Sequence, residues 1–523
     1  VVDAKSQGTP ISSGIYGVAF NSDDSMNVAG LNRWGGDETS SYNWKNSIAN
    51  AGNDWNCANY QQKFTTPNPD SSLTSATDQF VHYNVTQKVD TLMTIPITGW
   101  VASATSTGGS MTDCSATTTS PSAACCAGAS TQIPACCKTL GVTEEELVDK
   151  GSSVLDTSYM GGWVTHLVST FGSAANGGVK YYQLDNEPDN WQGLRQDIYP
   201  SLYPPGTNCE AFYSTNTAIG TSLNQDFINR TMAYSKAIKS ADPTAKVLFM
   251  STENAWDLVA IPNNECGNPS GPYSVTSSLT MYLLQQAAAA EAANHVRLLD
   301  CVDMHYPFTG KGLGDSAALW DPTVTQYGAT VIPPHVQGWI NSTYPGTAIC
   351  VSEYTVQNDG QSSGSADASS GAQLADVLGM YGRLGYMAAA YWTDLVHTTG
   401  TTQTHLPIYN AMAMYRNYDG SGAHFGSYSI GAASPNAGVN VYAASDSPSN
   451  PTKVWIMLVN VSTAAQSGLS ITLQNFTAGS TAQVYSMNGG AAPTSGTAIA
   501  VANGSISGVS VPVNSATLLV LSH

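Results

Sequence analysis

Two glutamates stand where parallel α/β folds do their chemistry. Glu187 closes Tyr181-Tyr182-Gln183-Leu184-Asp185-Asn186-Glu187-Pro188, an aromatic, β-prone run that reads as a buried strand. Pro188 has no N–H for a ladder and disfavours a helical predecessor, so the strand is expected to stop with Glu187 extended at its carboxyl end. Glu353 ends a second short apolar run, Ile349-Cys350-Val351-Ser352-Glu353-Tyr354. Strand carboxyl ends are where such folds assemble their sites. One Glu in that place is ordinarily a solvated or ion-paired group. Two of them, one held in Asn-Glu-Pro, suit cleavage of a glycosidic bond, with one carboxyl as acid and base and the other as nucleophile.

The elements needed to position them can be read from the pattern. Strands are expected at 15–20, 31–36, 91–97, 181–187, 245–250, 298–306, 349–353 and 387–392. Helical patterns lie between most of them: 80–90, a start at Thr143-Glu144-Glu145-Glu146, 160–171, 227–240, 279–293, a broken one at 324–341, and 372–384. Eight strands alternating with helices are the rhythm of a (β/α)8 barrel, here over 13–412. Beyond Val439 the runs alternate and are separated by Gly, Asn and Ser, which predicts a β-sandwich over 413–523, with 1–12 adding a strand. No Pro- or Ser-rich linker precedes the sandwich, so it is read as a structural partner of the barrel rather than a separate binding module.

Composition limits the partners. Of 523 residues, 11% are charged and the net charge is −19, which argues against nucleic acid and anionic membranes. No apolar run is long enough to span a bilayer. Five of the ten cysteines, Cys114, Cys125, Cys126, Cys136 and Cys137, crowd a Ser/Thr/Ala-rich insertion at about 103–140. Their spacing is not that of a zinc module and no His lies nearby, so a disulfide-stapled loop is expected. Asn-x-Ser/Thr sequons at Asn84, Asn229, Asn341, Asn460, Asn475 and Asn503, with an even cysteine count and a chain starting at Val1, fit a secreted, extracellular protein.

Other strand ends carry groups suited to sugars. Arg33 could keep a carboxylate ionised, His305 and Tyr306 end the sixth strand, and Trp392 ends the eighth. Trp44, Trp55, Trp100, Trp191 and Trp320 fall in or near loops, and tryptophan faces suit the apolar C–H faces of sugars. The ordered set Arg33-Trp34-Gly35-Gly36, Tyr42-Asn43-Trp44, Asp54-Trp55, Leu184-Asp185-Asn186-Glu187-Pro188, Asp303-Met304-His305-Tyr306, Leu319-Trp320-Asp321-Pro322-Thr323 and Ser352-Glu353-Tyr354 resembles glycoside hydrolase family 44, from about residue 15 to the end. The Cys-rich insertion, and the lack of a histidine in Gly193–Pro200, depart from that pattern.

The resemblance implies a barrel plus β-sandwich, Glu187 as acid/base and Glu353 as nucleophile. It implies sugar contacts at Arg33, Trp55, Asn186, Tyr306, Trp320 and Trp392, beside His305. It implies an endo-β-1,4-glucanase acting on β-glucan polysaccharides such as xyloglucan and soluble cellulose derivatives. No cofactor is required for such chemistry; family members can bind structural calcium, whose ligands are not placed here. A monomer is expected. Asn186 would hold the sugar 2-hydroxyl and Tyr306 would bond Glu353. The alternatives are a mannanase, xylanase or arabinofuranosidase on the same chemistry, and a non-catalytic glycan-binding protein.

Overall fold

The structure is a computed structural model that describes residues 1–6, 8–52, 59–67, 69–102, 142–144, 157–191, 223–253, 258, 279–305, 325–326, 329–330, 332–357, 359, 367–392 and 394–523. The Cys-rich insertion and eight of the ten cysteines lie outside these residues. Two short strands, β1 (Val2–Asp3) and β2 (Thr9–Pro10), precede the barrel. Its strands are β3 (Gly17–Ala19), β4 (Leu31–Trp34), β5 (Asp90–Ile95), β6 (Tyr181–Leu184), β7 (Lys246–Thr252), β8 (Cys301–His305), β9 (Ala348–Tyr354) and β10 (Ala388–Tyr391). They close in chain order into one barrel, and each of the eight runs expected from the sequence supplies one strand. Neighbours are parallel: Tyr181 lies beside Leu92 on one side and Lys246 on the other, and Gly17 beside Ala390.

Parallel strands covered on both faces read as continuous apolar runs rather than alternating ones. That is the pattern of β6, β8 and β10, buried at every position. The polar residues Gln183 in β6, Asp303 and His305 in β8, and Ser352 in β9 are also buried. Each must therefore find a hydrogen-bond partner inside the fold. Cys301 and Cys350 form a disulfide between β8 and β9, with Cα atoms 6.0 Å apart.

Helices α1 (Ala76–Gln87), α2 (Ser158–Phe171), α3 (Leu223–Ala241), α4 (Leu279–Asn294), α5 (Ile332–Thr343), α6 (Ala368–Leu384) and α7 (Pro407–Arg416) accompany the strands. Their ends follow local chemistry. The Ser75 side chain accepts from the Asp78 N–H at the start of α1, and Asp367 accepts from Ser369 N–H at the start of α6. Gly385 takes the left-handed conformation that ends α6. The helix start expected at Thr143 is wrong: Val142–Glu144 is a strand paired antiparallel with Trp100–Ala102. Two β-branched residues and a ladder partner outweigh the acidic first-turn signal there. Among the described residues no helix is long and apolar enough to cross a membrane.

Two of the six sequons are unusable in the folded chain. Asn84 is buried, accepts from Asn32 Nδ2 and donates to Thr91 Oγ1. Asn460 is buried and its Nδ2 donates to carbonyls of Ala464, Val511 and Pro512. Their weight as evidence of a secretory history falls accordingly.

One compact unit gathers Val1–Leu31 with Glu353–His523. Within it β11 (Tyr428–Ala432), β12 (Val439–Ser445), β13 (Lys453–Asn460), β14 (Gln466–Gln474), β15 (Thr481–Met487), β16 (Thr494–Ala502), β17 (Ser505–Val511) and β18 (Ala516–Ser522) join β1 and β2 in a ten-stranded sheet. The order is β1-β14-β17-β16-β15-β18-β13-β12-β11-β2, and β1 also pairs β11, so the sheet folds back around one core. Val2, Ile430, Val454, Ile456, Ile506 and Leu519 are among the residues that fill it.

Helix α6 packs on this sheet through a polar contact inside an apolar one. The buried Asp376 Oδ1 accepts from Tyr442 OH at 2.6 Å and from Asn440 Nδ2 at 2.7 Å. Burial pushes the Tyr442 hydroxyl well above its ordinary pKa, so it stays a donor. Gly379, one turn along α6, lies against the same ring: a Cβ there would stand 2.3 Å from Tyr442 Cδ2. Gly379→Ala is therefore expected to cost about 1–3 kcal/mol by overpacking. Urea unfolding of the two proteins checks this, and an unchanged midpoint would refute it.

Candidate active site

Strand β6 ends at Leu184, and the next three residues turn rather than continue. Asp185 (φ 63°) and Glu187 (φ 44°, ψ 54°) both take the left-handed conformation. Glu187 is thus not extended, as Pro188 had suggested. The hydrogen bonds on either side explain the override. Glu187 N–H donates to Ser251 O at 3.0 Å. Asp185 Oδ2 accepts from Ile97 N–H at 2.7 Å, and Oδ1 accepts from Asn186 N–H at 2.9 Å and Trp191 Nε1–H at 3.1 Å. Burial raises the Asp185 pKa while these donors lower it. Left-handed non-glycine residues cost on the order of 1–3 kcal/mol each and persist where the surroundings hold them. Opposite, Met250 (φ 77°) and Ser251 (φ 46°) are left-handed too, at an irregularity in β7.

Asn186 is held in one amide orientation. Its Oδ1 accepts from Arg33 Nη2 at 2.6 Å and Gly36 N–H at 3.2 Å, groups that can only donate. Its Nδ2 therefore faces Asp37 Oδ1, at 2.8 Å, leaving one amide hydrogen for another acceptor. Arg33 is fully buried, and its Nε donates to Gln183 Oε1 at 3.0 Å. The guanidinium lies over Gly35, where a Cβ would be 2.2 Å from Arg33 Cζ. Glycine at 35 makes that close approach feasible.

Glu187 Oε1 lies 2.8 Å from His305 Nδ1, and His305 Nε2 lies 3.0 Å from Ser352 Oγ. Ser352 Oγ donates to Asp303 Oδ2 at 2.6 Å, and Ser352 N–H donates to Asp303 Oδ1 at 2.8 Å. Ser251 Oγ donates to the same Oδ2 at 2.7 Å. Glu353 follows Ser352 on β9. One ligand-type atom each from Glu187, His305 and Glu353 lie within 4.8 Å of one another, and all three residues are buried. That spacing could hold a cation, and both ring nitrogens of His305 are already hydrogen-bonded, Nδ1 with Glu187 and Nε2 with Ser352. Two carboxyl groups this close, one hydrogen-bonded to an imidazole, can divide proton transfer and nucleophilic attack between them.

The structure therefore brings together Glu187, His305 and Glu353, and ties Arg33 to Asn186. Trp392 is half-buried after β10, with its N–H on Tyr354 O and its ring 6.5 Å from that of Phe20. Trp55, Tyr306 and Trp320 lie outside the described residues, so the expected Tyr306–Glu353 bond does too. Trp191 is buried, and Trp44 stacks on His166 at 5.5 Å, so both take part in packing. Sequence reasoning did not assign Asp303, Ser352 or Asp185 a role. A signal existed for one of them: in a strand, Asp303 and His305 are two apart and share a face.

The sequence model of glycoside hydrolase family 44 matches residues 48–309. Endoglucanase A of Paenibacillus lautus is 25% identical over 85% of this chain, which spans 61% of that relative's length. Among solved structures, CelM2, a bifunctional glucanase-xylanase from a metagenome library, is 25% identical with TM-score 0.76, covering 100% of this chain and 98% of its own. A family 44 xyloglucanase of Paenibacillus polymyxa, solved with xyloglucan, has TM-score 0.73 at 20% identity, covering 100% of this chain and 99% of its own, a likeness of fold.

Both oxygens of the Asp185 carboxyl group face N–H donors, two on Oδ1 and one on Oδ2, and the Ser40 hydroxyl bonds it as well. Asp185→Asn must point its NH2 at a donor in either orientation. We expect a loss of about 1–3 kcal/mol in unfolding free energy. Chemical denaturation at neutral pH is the check; a loss below about 0.5 kcal/mol would mean that the carboxylate does not hold this turn.

Proposed function

Because the chain belongs to glycoside hydrolase family 44, we propose that it is a secreted endo-β-1,4-glucanase that hydrolyses xyloglucan and soluble cellulose-type glucans with retention of configuration. The observation that carries this reading is the buried cluster of Glu187, His305 and Glu353, with atoms within 4.8 Å of one another. Retaining glycosidases place their carboxyl groups about 5–5.5 Å apart, whereas inverting ones need about 6.5–9.5 Å to admit water. The cluster favours the first.

In this reading Glu353 attacks the anomeric carbon while Glu187 protonates the departing oxygen. Water, deprotonated by the now ionised Glu187, then releases the sugar from Glu353. The free Nδ2 hydrogen of Asn186 is offered to the 2-hydroxyl of the bound sugar, because Arg33 and Gly36 fix the amide. Arg33 supports that contact from beneath rather than touching the bond that breaks. A glucanase with additional xylanase activity is the second reading, favoured by the description of CelM2.

Reducing-end release from xyloglucan, carboxymethylcellulose, xylan and mannan, with viscometry, tests the substrate class. Cutting of the glucans with an early viscosity drop is expected; turnover confined to mannan would remove the glucanase reading. Glu187→Gln and Glu353→Gln should each lose at least about 10³-fold in turnover, about 4 kcal/mol of barrier. Proton NMR of a fresh digest should show the β-anomer first. The α-anomer appearing first would contradict retention.

A further inference from the structure

The hydrogen bonds behind Glu187 determine where a proton can sit on His305. Asp303 is buried and accepts from Ser251 Oγ, Ser352 Oγ and Ser352 N–H, three donors that fit an ionised carboxylate. The Ser352 hydroxyl hydrogen is thus spent on Asp303, and its oxygen is left to accept. His305 Nε2, 3.0 Å away, must then carry a hydrogen. With Nε2 protonated, a neutral His305 presents a bare Nδ1 to Glu187 Oε1 at 2.8 Å. Two acceptors cannot share that distance without a proton between them.

We propose that Asp303, Ser352 and His305 form a positioning chain that fixes the histidine tautomer and thereby makes Glu187 hold the proton needed for the first chemical step. This rests on the glycosidase reading above, with Glu187 as acid/base. The chain acts in one direction on either microstate of the pair. If the shared proton lies on Glu187, losing it leaves a carboxylate oxygen against a lone pair. If it lies on His305, the imidazolium donates through Ser352 to the Asp303 anion and is stabilised by it. Both keep a proton between Glu187 and His305, which share it as one system.

Breaking the chain reverses both effects. Without the Ser352 hydroxyl the ring is free to adopt the Nδ1–H tautomer and donate to ionised Glu187, while the imidazolium loses its path to Asp303. The charged groups around this path are Glu353, on β9, the other carboxyl group of the cluster; Asp185, next to Asn186, which accepts from three N–H donors; and Arg33, on β4, which donates to Gln183 and Asn186. Ser352 and Asp303 are positioning residues, since neither touches the sugar in this account.

The test compares pH profiles of kcat/KM for cellotetraose, whose leaving group needs an acid, and 2,4-dinitrophenyl β-cellobioside, whose leaving group does not. In the parent the alkaline limb should be present for the tetraose and absent at that pH for the aryl glycoside. In Ser352→Ala that limb should move down by about one pH unit, and above it the tetraose-to-aryl ratio should fall about tenfold. Ser352→Thr, which keeps the hydroxyl, should restore the limb. Asp303→Asn should move it in the same direction, and serves if Ser352→Ala does not fold. A limb that stays in place in both variants, or equal losses on the two substrates, would overturn the proposal while leaving the glycosidase reading intact. A parent inactive on both substrates, or Glu187→Gln with full tetraose turnover, would overturn that reading and this proposal with it.

Discussion

A parallel sheet has unpaired N–H and C=O groups along both edges, and a barrel removes them only by joining its last strand to its first. In this protein that join is β10 with β3, where Ala390 pairs Gly17 and Tyr391 pairs Val18. The glycine is required there: a Cβ at Gly17 would lie 2.2 Å from Ala389 O. Closure then directs every strand's carboxyl end to the same rim, so that residues far apart in the chain become neighbours without any local signal that they should.

The two ends of the barrel strands use charge differently. Near the amino end of β8, the buried Asp300 accepts from the buried Lys239 Nζ at 2.6 Å and the partly exposed Lys246 Nζ at 3.1 Å, so one carboxylate draws in two cations. This is stabilising chemistry, as expected of the face opposite a barrel's site. At the carboxyl ends the carboxyl groups of Glu187 and Glu353 stand close to each other, and left-handed residues hold the backbone in costly conformations. Such an arrangement is unfavourable unless the surroundings enforce it. Asp185, Asp303 and Asn186 provide that enforcement through fixed N–H, hydroxyl and guanidinium donors.

How much of this was legible in the sequence depended on the period of the signal. Continuous apolar runs such as Thr91–Ile97 and Met387–Trp392 are too short for helices and match buried strands, so the barrel could be read from their repetition. Thr143 was misread because three glutamates imitate the first turn of a helix, while the partner strand at Trp100 is invisible to a local window. Glu187 could be picked out by Asn-Glu-Pro, but its left-handed backbone could not, since the bond from its N–H to Ser251 is a long-range contact. Ser352 and Asp303 looked like ordinary polar residues in strands. Their importance lies in which of two hydrogens points where, which a sequence does not express.

The pairing of Val2 with Ala432 and Leu473 has a consequence for the order of folding. The Val1 amino group donates to Ala433 O, 432 positions away, and Val2 lies in register with both Ala432 and Leu473. Contacts across so long a stretch of chain form slowly, because the entropy of closing the loop must be lost before the ladder is gained. Strand β1 is therefore expected to dock late in folding, after β11 and β14 have paired with their own neighbours.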